Sequence, residues 1–313
     1  MKLWIASMLP ICDRFSSWFN YEFKRVAEDL GVDVEVIGIE RKCVDVMTNY
    51  FTNEYEAVEH EAEQLKVLNV VARRGDKVLW LDLDYPGFSV PMAFLLKLRG
   101  VKNYGIFHGA YFNKGDVWSP LPERRWFMMS AIRVCEKVFV GSKYFKDMIV
   151  KHLDVDESKI VVTGLPFYPD RYDFNPSEKK DIVVVVGDVG DIKVPGYEVV
   201  VGRGMKYSKF IDLLRKAKYM IAFKDAETFG YAVLEAMASG VIVLVPPSFS
   251  YPEFYAEGGL MVFAKCIHDA IEFIEKNVWS PKDVEDRYRK SIKIISWYRN
   301  SARRIVEEVI LGD

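Results

Sequence analysis

Short apolar runs alternate with helix-like patterns along the first half of this chain, and this alternation restricts the possible folds most strongly. Strands are predicted for the runs LWIAS, VDVEVIGI, KVLWLDLD, NYGIFHG, KVFVGS and KIVVTG. Apolar spacing between these runs predicts helices over 18–30, 54–73, 91–99, 123–133 and 143–152. Repeated strand–helix–strand units form parallel sheets covered by helices, and right-handed crossovers make such sheets doubly wound. We therefore predict a doubly wound α/β fold.

A proline-rich stretch separates this first series from a second one. Residues 165–180 read LPFYPDRYDFNPSEKK, with three prolines and no sustained periodicity, which indicates a linker. Further strands are predicted for the runs DIVVVVG, YEVVVG, YMIAF, VIVLV and GLMVF, with helices over 208–216 and 231–239. Chains longer than about 250 to 300 residues usually split into domains. We predict Rossmann-like domains over 1–166 and 181–295, joined by a linker over 167–180.

The stretch from 281 to 311 has mixed charge and a helical pattern. Its apolar residues are spaced for one buried stripe, which contains Ile292, Ile295, Ala302, Ile305 and Val309. We therefore predict a helical tail that buries a single face.

Composition disfavours several protein classes. The formal net charge of −2 provides no broad positive field, which argues against a dedicated nucleic-acid binder. No apolar run approaches the roughly 20 residues that span a bilayer, and the start MKLWIASMLPICD is a poor signal peptide. Because Cys12, Cys43, Cys135 and Cys266 lack CxxC spacing, we expect buried thiols in a reducing, cytoplasmic compartment. The single glutamine, Gln64, favours a thermophilic source.

One buried charge points to a ligand. The segment from Phe229 to Pro247 reads FGYAVLEAMASGVIVLVPP, and Glu235 is its only charged residue. The helix predicted over 231–239 has no polar face, so we expect it to be buried. A buried carboxylate without a partner is strongly disfavoured. Glu235 therefore needs either an internal Arg or Lys or a ligand with several hydroxyls.

A second acid, Glu227, lies eight residues earlier, in the loop between the strand YMIAF and this helix. In doubly wound sheets, ligands collect where loops leave the carboxyl ends of the strands. The backbone N–H groups of Thr228, Phe229 and Gly230 would point out of the helix N-terminus, where the helix dipole favours phosphate. Phosphate at the helix and hydroxyls at Glu235 together describe a nucleotide sugar.

At these residues the sequence resembles the retaining glycosyltransferases of the GT-B fold, in particular family 4. The family's two glutamates, separated by seven residues, read E-TFGYAVL-E here, and AMASG-VIVLV is similar to its EAMACGTPVIA segment. The resemblance implies that Glu227 contacts the transferred sugar and that Phe229 and Gly230 present backbone N–H groups. It further implies that Glu235 holds the ribose and that His108, in the run IFHG, reaches the donor sugar from across the cleft.

The resemblance extends along the chain. The stretch VFVGSKYFKDMIVKHLDVDESKIVVTGLPF is similar to the part that closes the family's first domain. ISWYRNSARRI is similar to the family's closing helix, which typically crosses back to that domain. The resemblance therefore assigns a helix at about 296–313 to the first, acceptor-binding domain and gives the donor site to the second.

The second domain departs from the family at the diphosphate site. After the first strand of this domain the family places an Arg and, five residues later, a Lys. Here the Lys is Lys193, whereas Asp188 stands at the Arg position and would oppose phosphate. Either Arg203 substitutes from the next loop, or donor binding is weak or altered. Lys193 and Arg203 are otherwise solvated loop charges.

Each site residue also has a purely structural interpretation. Glu227 is then a solvated loop acid, Glu235 part of an internal ion pair and His108 a core histidine. Asp82 and Asp84 spell the DxD motif that binds metal in another glycosyltransferase class with a different fold. At a strand end we expect them to cap a helix or contact the acceptor instead.

The segment WSPLPERRWFMMSAIRV also has two interpretations. It combines Arg124 and Arg125 with Trp126, Phe127 and Met128. Basic charge beside large apolar side chains is typical of a peripheral membrane contact. The alternative is an ordinary core helix.

The sequence thus predicts a retaining glycosyltransferase that needs neither metal nor cofactor and moves a hexose from a UDP- or GDP-type donor to a glycan, lipid or protein acceptor. The resemblance implies front-face attack, without a protein nucleophile. The catalytic candidates are Glu227, His108 and Lys193; the donor-binding candidates are Thr228, Phe229, Gly230, Glu235 and Arg203. Two alternatives stay open: a UDP-sugar 2-epimerase, which needs no acceptor, and a non-catalytic GT-B binding subunit.

Overall fold

The computed structural model describes residues 1–12, 15–38, 40, 42–44, 54–83, 87, 89–113, 123–187, 189–202, 204–224 and 226–312. The predictions made for Asp84, Asp188 and Arg203 lie outside these residues. The chain divides into two compact units: unit 1 comprises Met1–Pro166 and Asn300–Asp313, and unit 2 comprises Phe167–Arg299.

Unit 1 contains a six-stranded parallel sheet. Its strands are β1 (Leu3–Ala6), β2 (Val34–Ile37), β3 (Lys77–Trp80), β4 (Lys102–Phe107), β5 (Lys137–Val140) and β6 (Ile160–Val162). The connecting helices are α1 (Phe15–Asp29), α2 (Glu54–Val71), α3 (Ser89–Leu98), α4 (Arg124–Val134) and α5 (Lys143–His152). The strand order is β2-β1-β3-β4-β5-β6. Every strand and helix predicted for this half of the chain is present, which confirms the doubly wound prediction.

The central strands of unit 1 explain why the apolar runs were so distinct. All four residues of β1 and all four of β3 are buried. Strands covered by helices on both faces have no polar side, so their sequences are continuously apolar. Short apolar runs that are bounded by turn residues and rich in β-branched residues are therefore consistent with buried strands.

Unit 2 contains a five-stranded parallel sheet in the order β11-β10-β9-β7-β8. Its strands are β7 (Lys180–Gly187), β8 (Glu198–Val201), β9 (Ala217–Phe223), β10 (Ile242–Val245) and β11 (Met261–Phe263). Its helices are α6 (Tyr207–Lys216), α7 (Tyr231–Ala238), α8 (Ile267–Lys276) and α9 (Pro281–Ile295). All five predicted strands are confirmed. The sequence analysis did not identify α8, which buries only Ala270 and Ile274.

The tail forms two helices instead of one continuous buried stripe. A 3₁₀ turn over Ser296–Asn300 separates α9 of unit 2 from α10 (Ser301–Leu311), which packs against α1 in unit 1. Ile292 on α9 is only partly buried. The other residues of the predicted stripe are buried, Ile295 on α9 and Ala302, Ile305 and Val309 on α10. Burial is therefore confirmed for four of the five residues, but the single stripe is wrong, because each helix buries a face against its own unit. The prediction that the C-terminal helix joins the first domain is confirmed.

Two cysteines form a disulfide that the sequence analysis excluded. Cys12 and Cys43, 31 positions apart, are bonded with their Cα atoms 4.9 Å apart. They lie in the loops after β1 and β2, which leave the same edge of the sheet because the two strands are parallel neighbours. Cys266 is exposed, and only Cys135 is a buried thiol. The expectation of four buried thiols is therefore wrong, and the argument for a reducing compartment no longer holds. Spacing rules detect cysteines that are close in sequence, not loops that the topology brings together.

None of the helices in the described part of the chain combines the length and apolar character that a bilayer crossing requires.

Candidate functional site

The strand order of unit 2 reverses between β7 and β9. From β7 the chain continues to β8 on one side of the sheet, whereas β9, β10 and β11 extend on the other side. The loops after β7 and β9 therefore diverge at the carboxyl edge, the place where doubly wound sheets bind ligands. Gly187 ends β7 with φ +108°, and a Cβ there would lie 2.0 Å from the carbonyl oxygen of Phe223 in β9. Only glycine permits this close approach of the two strand ends.

Glu227 lies in the loop after β9, as the sequence predicted. Its side chain is 15% exposed, and Lys224 Nζ donates a hydrogen bond of 2.7 Å to its Oε2. This ion pair spans three residues and holds the carboxylate within its own loop. Glu227 is therefore neither fully solvated nor buried without a partner.

The turn into α7 is fixed by a glycine and by aromatic packing. Gly230, the residue before α7, has φ +90° and ψ +48°, a conformation that L side chains rarely adopt. Phe229 is buried, and its ring contacts Phe254 and Tyr298 edge-on with centroids 5.6 and 5.2 Å away. Thr228 is partly buried in the same turn. The packing holds the first backbone N–H groups of α7 in place at the carboxyl edge of the sheet.

Glu235 has partners that the sequence analysis did not foresee. It is 5% exposed on α7, and its Oε1 accepts hydrogen bonds from Tyr207 Oη at 2.7 Å and Tyr172 Oη at 3.3 Å. The two tyrosine hydroxyls lie 3.1 Å from each other. Burial raises the pKa of Tyr172, and the neighbouring Glu235 raises it further. The hydroxyl therefore stays protonated and can donate to the carboxylate.

Tyr251 places a buried hydroxyl beside the same loop. Its side chain is fully buried, and its Oη has no hydrogen-bond partner among the residues that the structure describes. Burial raises the pKa of Tyr251, and the charge of Glu227 raises it further. Phe249, two residues earlier, has φ +61°, a strained value for a side-chain-bearing residue. Buried unsatisfied donors and strained backbone are uncommon and concentrate at functional sites.

Lys193 lies in the connection between β7 and β8, and β7 is the strand next to β9 in the sheet. Its side chain is exposed and makes no hydrogen bond or ion pair with any described residue. The structure does not bring Lys193 into contact with Glu227, and its predicted role stays a prediction.

His108 follows β4 in unit 1 and lies in an aromatic environment. Its ring centroid is 5.8 Å from that of Phe19 and 6.1 Å from that of Phe15. Nε2 lies 2.8 Å from the carbonyl oxygen of Leu81, so this nitrogen must carry the proton and donate. Burial lowers the pKa of His108 to about 4, although the hydrogen bond to Leu81 opposes the shift. The imidazole is therefore neutral at physiological pH.

A polar pocket lies at the corresponding switch point of unit 1, between β1 and β3. Ser7 accepts a 2.8 Å hydrogen bond at its carbonyl oxygen from Gln64 Nε2, and His60 Nε2 lies 3.2 Å from Ser7 Oγ. Asp82 also lines this pocket. No group of three His, Cys, Asp or Glu residues suited to a metal is present in the described ranges. The sequence analysis missed His60 and Gln64, although two polar residues four positions apart on a helix share one face.

No protein-family model and no curated protein matches this sequence. Solved structures do match it over nearly its whole length. HepE of Anabaena in complex with UDP and glucose is 11% identical, with a TM-score of 0.65 and 99% of each chain covered. Sucrose-phosphate synthase of Thermosynechococcus elongatus is 10% identical, with a TM-score of 0.70 and 100% of each chain covered. A glycosyltransferase of Rickettsia africae is 14% identical, with a TM-score of 0.60 and 100% of each chain covered.

At these identities the likeness establishes the fold alone. Both units, their parallel sheets and the C-terminal helix agree with the architecture of the GT-B glycosyltransferases. The predicted fold class is therefore confirmed.

Proposed function

We propose that this protein is a glycosyltransferase that takes a sugar from a nucleotide-diphosphate donor bound by unit 2. The observation that supports this proposal most directly is the arrangement around α7, where Glu227, the turn at Gly230 and the buried Glu235 follow one another at the switch point of the sheet. A structural neighbour, HepE of Anabaena, was solved with UDP and glucose.

Each part of the donor has a matching group in this arrangement. The diphosphate would accept hydrogen bonds from backbone N–H groups of Thr228, Phe229 and Gly230, because a helix N-terminus favours anions. The ribose hydroxyls would donate to Glu235, whose carboxylate Tyr207 and Tyr172 hold in one orientation. A carboxylate held in this way loses less conformational freedom when a ligand binds.

The transferred hexose would contact Glu227. Lys224 donates a hydrogen bond to one oxygen of this carboxylate. The charge of the carboxylate also raises the pKa of the unsatisfied Tyr251 hydroxyl. Lys193 would neutralise the leaving phosphate, because it lies in the connection after β7, the strand next to β9. Arg203 is proposed for the same role from the loop after β8.

The proposed reaction proceeds with retention of configuration and without metal or cofactor. The acceptor hydroxyl would pass its proton to the leaving phosphate, so that rate depends on positioning and on charge stabilisation. His108, being neutral, would serve as a hydrogen-bonding group to the donor sugar and not as a proton donor. The acceptor, whether glycan, lipid or protein, would bind unit 1.

We also propose a cytoplasmic location in a thermophilic organism. The disulfide between Cys12 and Cys43 is compatible with that proposal, because intracellular proteins of hyperthermophiles are rich in disulfides. A melting temperature in the mesophile range would contradict the thermophilic source.

The roles of Glu227 and Glu235 in donor recognition can be tested one at a time. Glu227→Gln should weaken binding of the full nucleotide sugar while the free nucleoside diphosphate binds as it does to the wild type. Glu235→Gln should weaken both, by about tenfold or more, because each charge-assisted hydrogen bond contributes about 1.5 to 3 kcal/mol. Glu275→Gln, on the exposed face of α8, is the matched control. Equal effects of Glu227→Gln on both ligands would contradict the assignment.

Product analysis separates the proposal from its alternatives. A glycosyltransferase releases nucleoside diphosphate and a glycosylated acceptor. Conversion of a UDP-N-acetyl sugar without any acceptor would indicate a 2-epimerase. Binding of a donor without turnover, over a panel of glycan and lipid acceptors, would indicate a binding subunit.

A further inference from the structure

The outer surface of α3 and α4 exposes large apolar side chains. We call this region the α3–α4 surface, and its apolar members are Phe94, Leu95, Leu98, Trp126 and Phe127. Trp126 is 65% exposed and Leu98 70% exposed. The two helices pack side by side, because they follow the adjacent strands β3 and β4 in crossovers of the same direction. Contiguous exposed apolar residues of this size mark interaction sites more often than isolated ones do.

The charged residues of α3 and α4 themselves are all basic, while the acids Glu123, Glu136 and Asp154 lie beside the two helices. Residues 89–99 and 124–134 contain no acidic side chain, whereas the whole protein has a net charge of −2. Their basic residues are Lys97, Arg99, Arg124, Arg125 and Arg133. Lys97 forms an ion pair with Glu136, and Arg133 pairs with Asp154 at 4.0 Å. Arg99 donates to backbone oxygens of α2 and the residue after it, so these three basic residues have structural partners.

The arginines at the start of α4 are arranged around the exposed aromatic rings. The guanidinium of Arg124 lies 5.5 Å from the ring centroid of Phe127, and that of Arg125 lies 6.0 Å from the ring of Trp126. Trp side chains are enriched at membrane–water interfaces, where the ring enters the apolar boundary. Arginine beside them is suited to lipid phosphate, which it binds through two N–H groups.

An apolar pocket opens beside these residues. It is shallow and lies between the start of α3, the end of β4 and the start of α4. Val90, Phe107, Phe127, Met128 and Ala131 are among its lining residues, with Arg124 at its edge. The start of α4 therefore combines an apolar recess, exposed rings and basic charge within a few residues.

We propose that the α3–α4 surface binds the surface of an anionic lipid bilayer. The apolar rings enter the boundary between headgroups and acyl chains, and the basic residues contact the lipid phosphates. Basic residues outnumber the neighbouring acids on this surface, whereas the whole protein has a net charge of −2, so the surface favours an anionic partner. The exposed rings distinguish a membrane from a purely polar polyanion. The interaction needs only unit 1 and is independent of the donor chemistry proposed for unit 2.

The proposal can be tested by flotation with vesicles of phosphatidylcholine, with and without an equal amount of phosphatidylglycerol. The wild type should float only with the anionic vesicles. The double variant Trp126→Ser, Phe127→Ser should lower the partition coefficient at least tenfold, and Arg125→Gln about fivefold, as expected for one basic residue near a charged surface. Tyr21→Ser, an exposed ring on α1 across the sheet, and Lys282→Gln, an exposed lysine on α9, are the matched controls and should float like the wild type.

A second measurement keeps the test decisive if a variant folds poorly. Vesicles with brominated acyl chains should quench Trp126, and the quenching should fall in Trp126→Phe, a change that keeps an aromatic ring. Titration of the same variants with nucleoside diphosphate reports on unit 2 separately. Absence of flotation with anionic vesicles, or equal flotation of the surface variants and controls, would overturn the proposal. A different result would assign the surface to a second copy of the chain. In that case the wild type would not float, but it would self-associate without lipid, and the double variant would not.

Discussion

The hydroxyl of Tyr207 donates a hydrogen bond of 2.7 Å to Oε1 of Glu235, across 28 positions of sequence. Tyr172 donates to the same oxygen from 63 positions away. Two tyrosine hydroxyls thus donate to one oxygen of Glu235, and a carboxylate can accept further hydrogen bonds from a ligand. Vicinal ribose hydroxyls are donors of this kind.

Tyr207→Phe should lower both stability and nucleotide affinity. The substitution removes a hydrogen bond to a buried carboxylate, so the free energy of unfolding in urea should fall by about 1 to 2 kcal/mol. Affinity for the nucleoside diphosphate should fall severalfold, because Glu235 is less well oriented. Tyr255→Phe, an exposed ring in unit 2, is the control. Wild-type stability and affinity in Tyr207→Phe would show that this hydrogen bond does not position Glu235.

Gly230→Ala should disturb the turn that presents the backbone N–H groups. The left-handed conformation costs an alanine about 1 to 2 kcal/mol, and its Cβ would meet Glu227 Cγ and Tyr251 Cε1 at 3.4 Å. Gly31→Ala carries a similar backbone cost at φ +72°, but no atom lies within 4 Å of its Cβ. Urea unfolding should therefore show comparable losses, whereas only Gly230→Ala should weaken nucleotide binding. If both variants bound the nucleoside diphosphate equally well, Gly230 would not be part of the donor site.

The neutral form of His108 should make stability depend on pH. Its pKa in the folded protein is lowered to about 4, so between that value and about 6.5 the unfolded chain binds more protons than the folded one. The free energy of unfolding should therefore rise with pH through this window. Its contribution is complete above about pH 7.5 and amounts to about 3 kcal/mol.

Urea unfolding at pH 5 and pH 7.5 measures the larger part of this contribution, because pH 5 lies between the folded and unfolded pKa values of His108. The difference between the two values should shrink in His108→Gln and stay as in the wild type in His268→Gln, an exposed residue on α8. An unchanged difference in His108→Gln would contradict the assigned protonation state.

Reduction of the disulfide should destabilise unit 1. The bond closes a loop of 31 positions, for which constraint of the unfolded chain contributes about 2 to 4 kcal/mol. A thiol reductant should therefore lower the melting temperature of the wild type. It should have no such effect on the double variant Cys12→Ser, Cys43→Ser, and the effect should persist in Cys266→Ser. If the reductant did not change the melting temperature of the wild type, the disulfide would not stabilise the protein as predicted.

Much of the fold could be predicted because its determinants are local. Strands such as β1 and β3 are buried on both faces, and the helices between them follow an amphipathic spacing. The apolar character of α7 likewise revealed that Glu235 is buried. The boundary between α9 and α10 was not predictable in this way, because the same apolar spacing continues while the chain passes from one unit to the other.

The partners of the site residues could not be predicted, since they come from distant parts of the chain. Tyr172 lies in a stretch that resembled a linker, and nothing in its local sequence connects it with Glu235. Cys12 and Cys43 meet for a similar reason, because the parallel pairing of β1 and β2 brings their loops to one edge. Lys224 was overlooked as the partner of Glu227 although it is only three residues away.

The account depends most on a nucleotide site around α7, and calorimetric titration tests it most directly. UDP, GDP, ADP and dTDP would be titrated in EDTA into the wild type, Glu235→Gln and the control Glu275→Gln. We predict that one diphosphate binds selectively without metal, that Glu275→Gln binds it equally, and that Glu235→Gln weakens it by about tenfold or more. Failure of all four to bind, or undiminished binding by folded Glu235→Gln, would contradict the account.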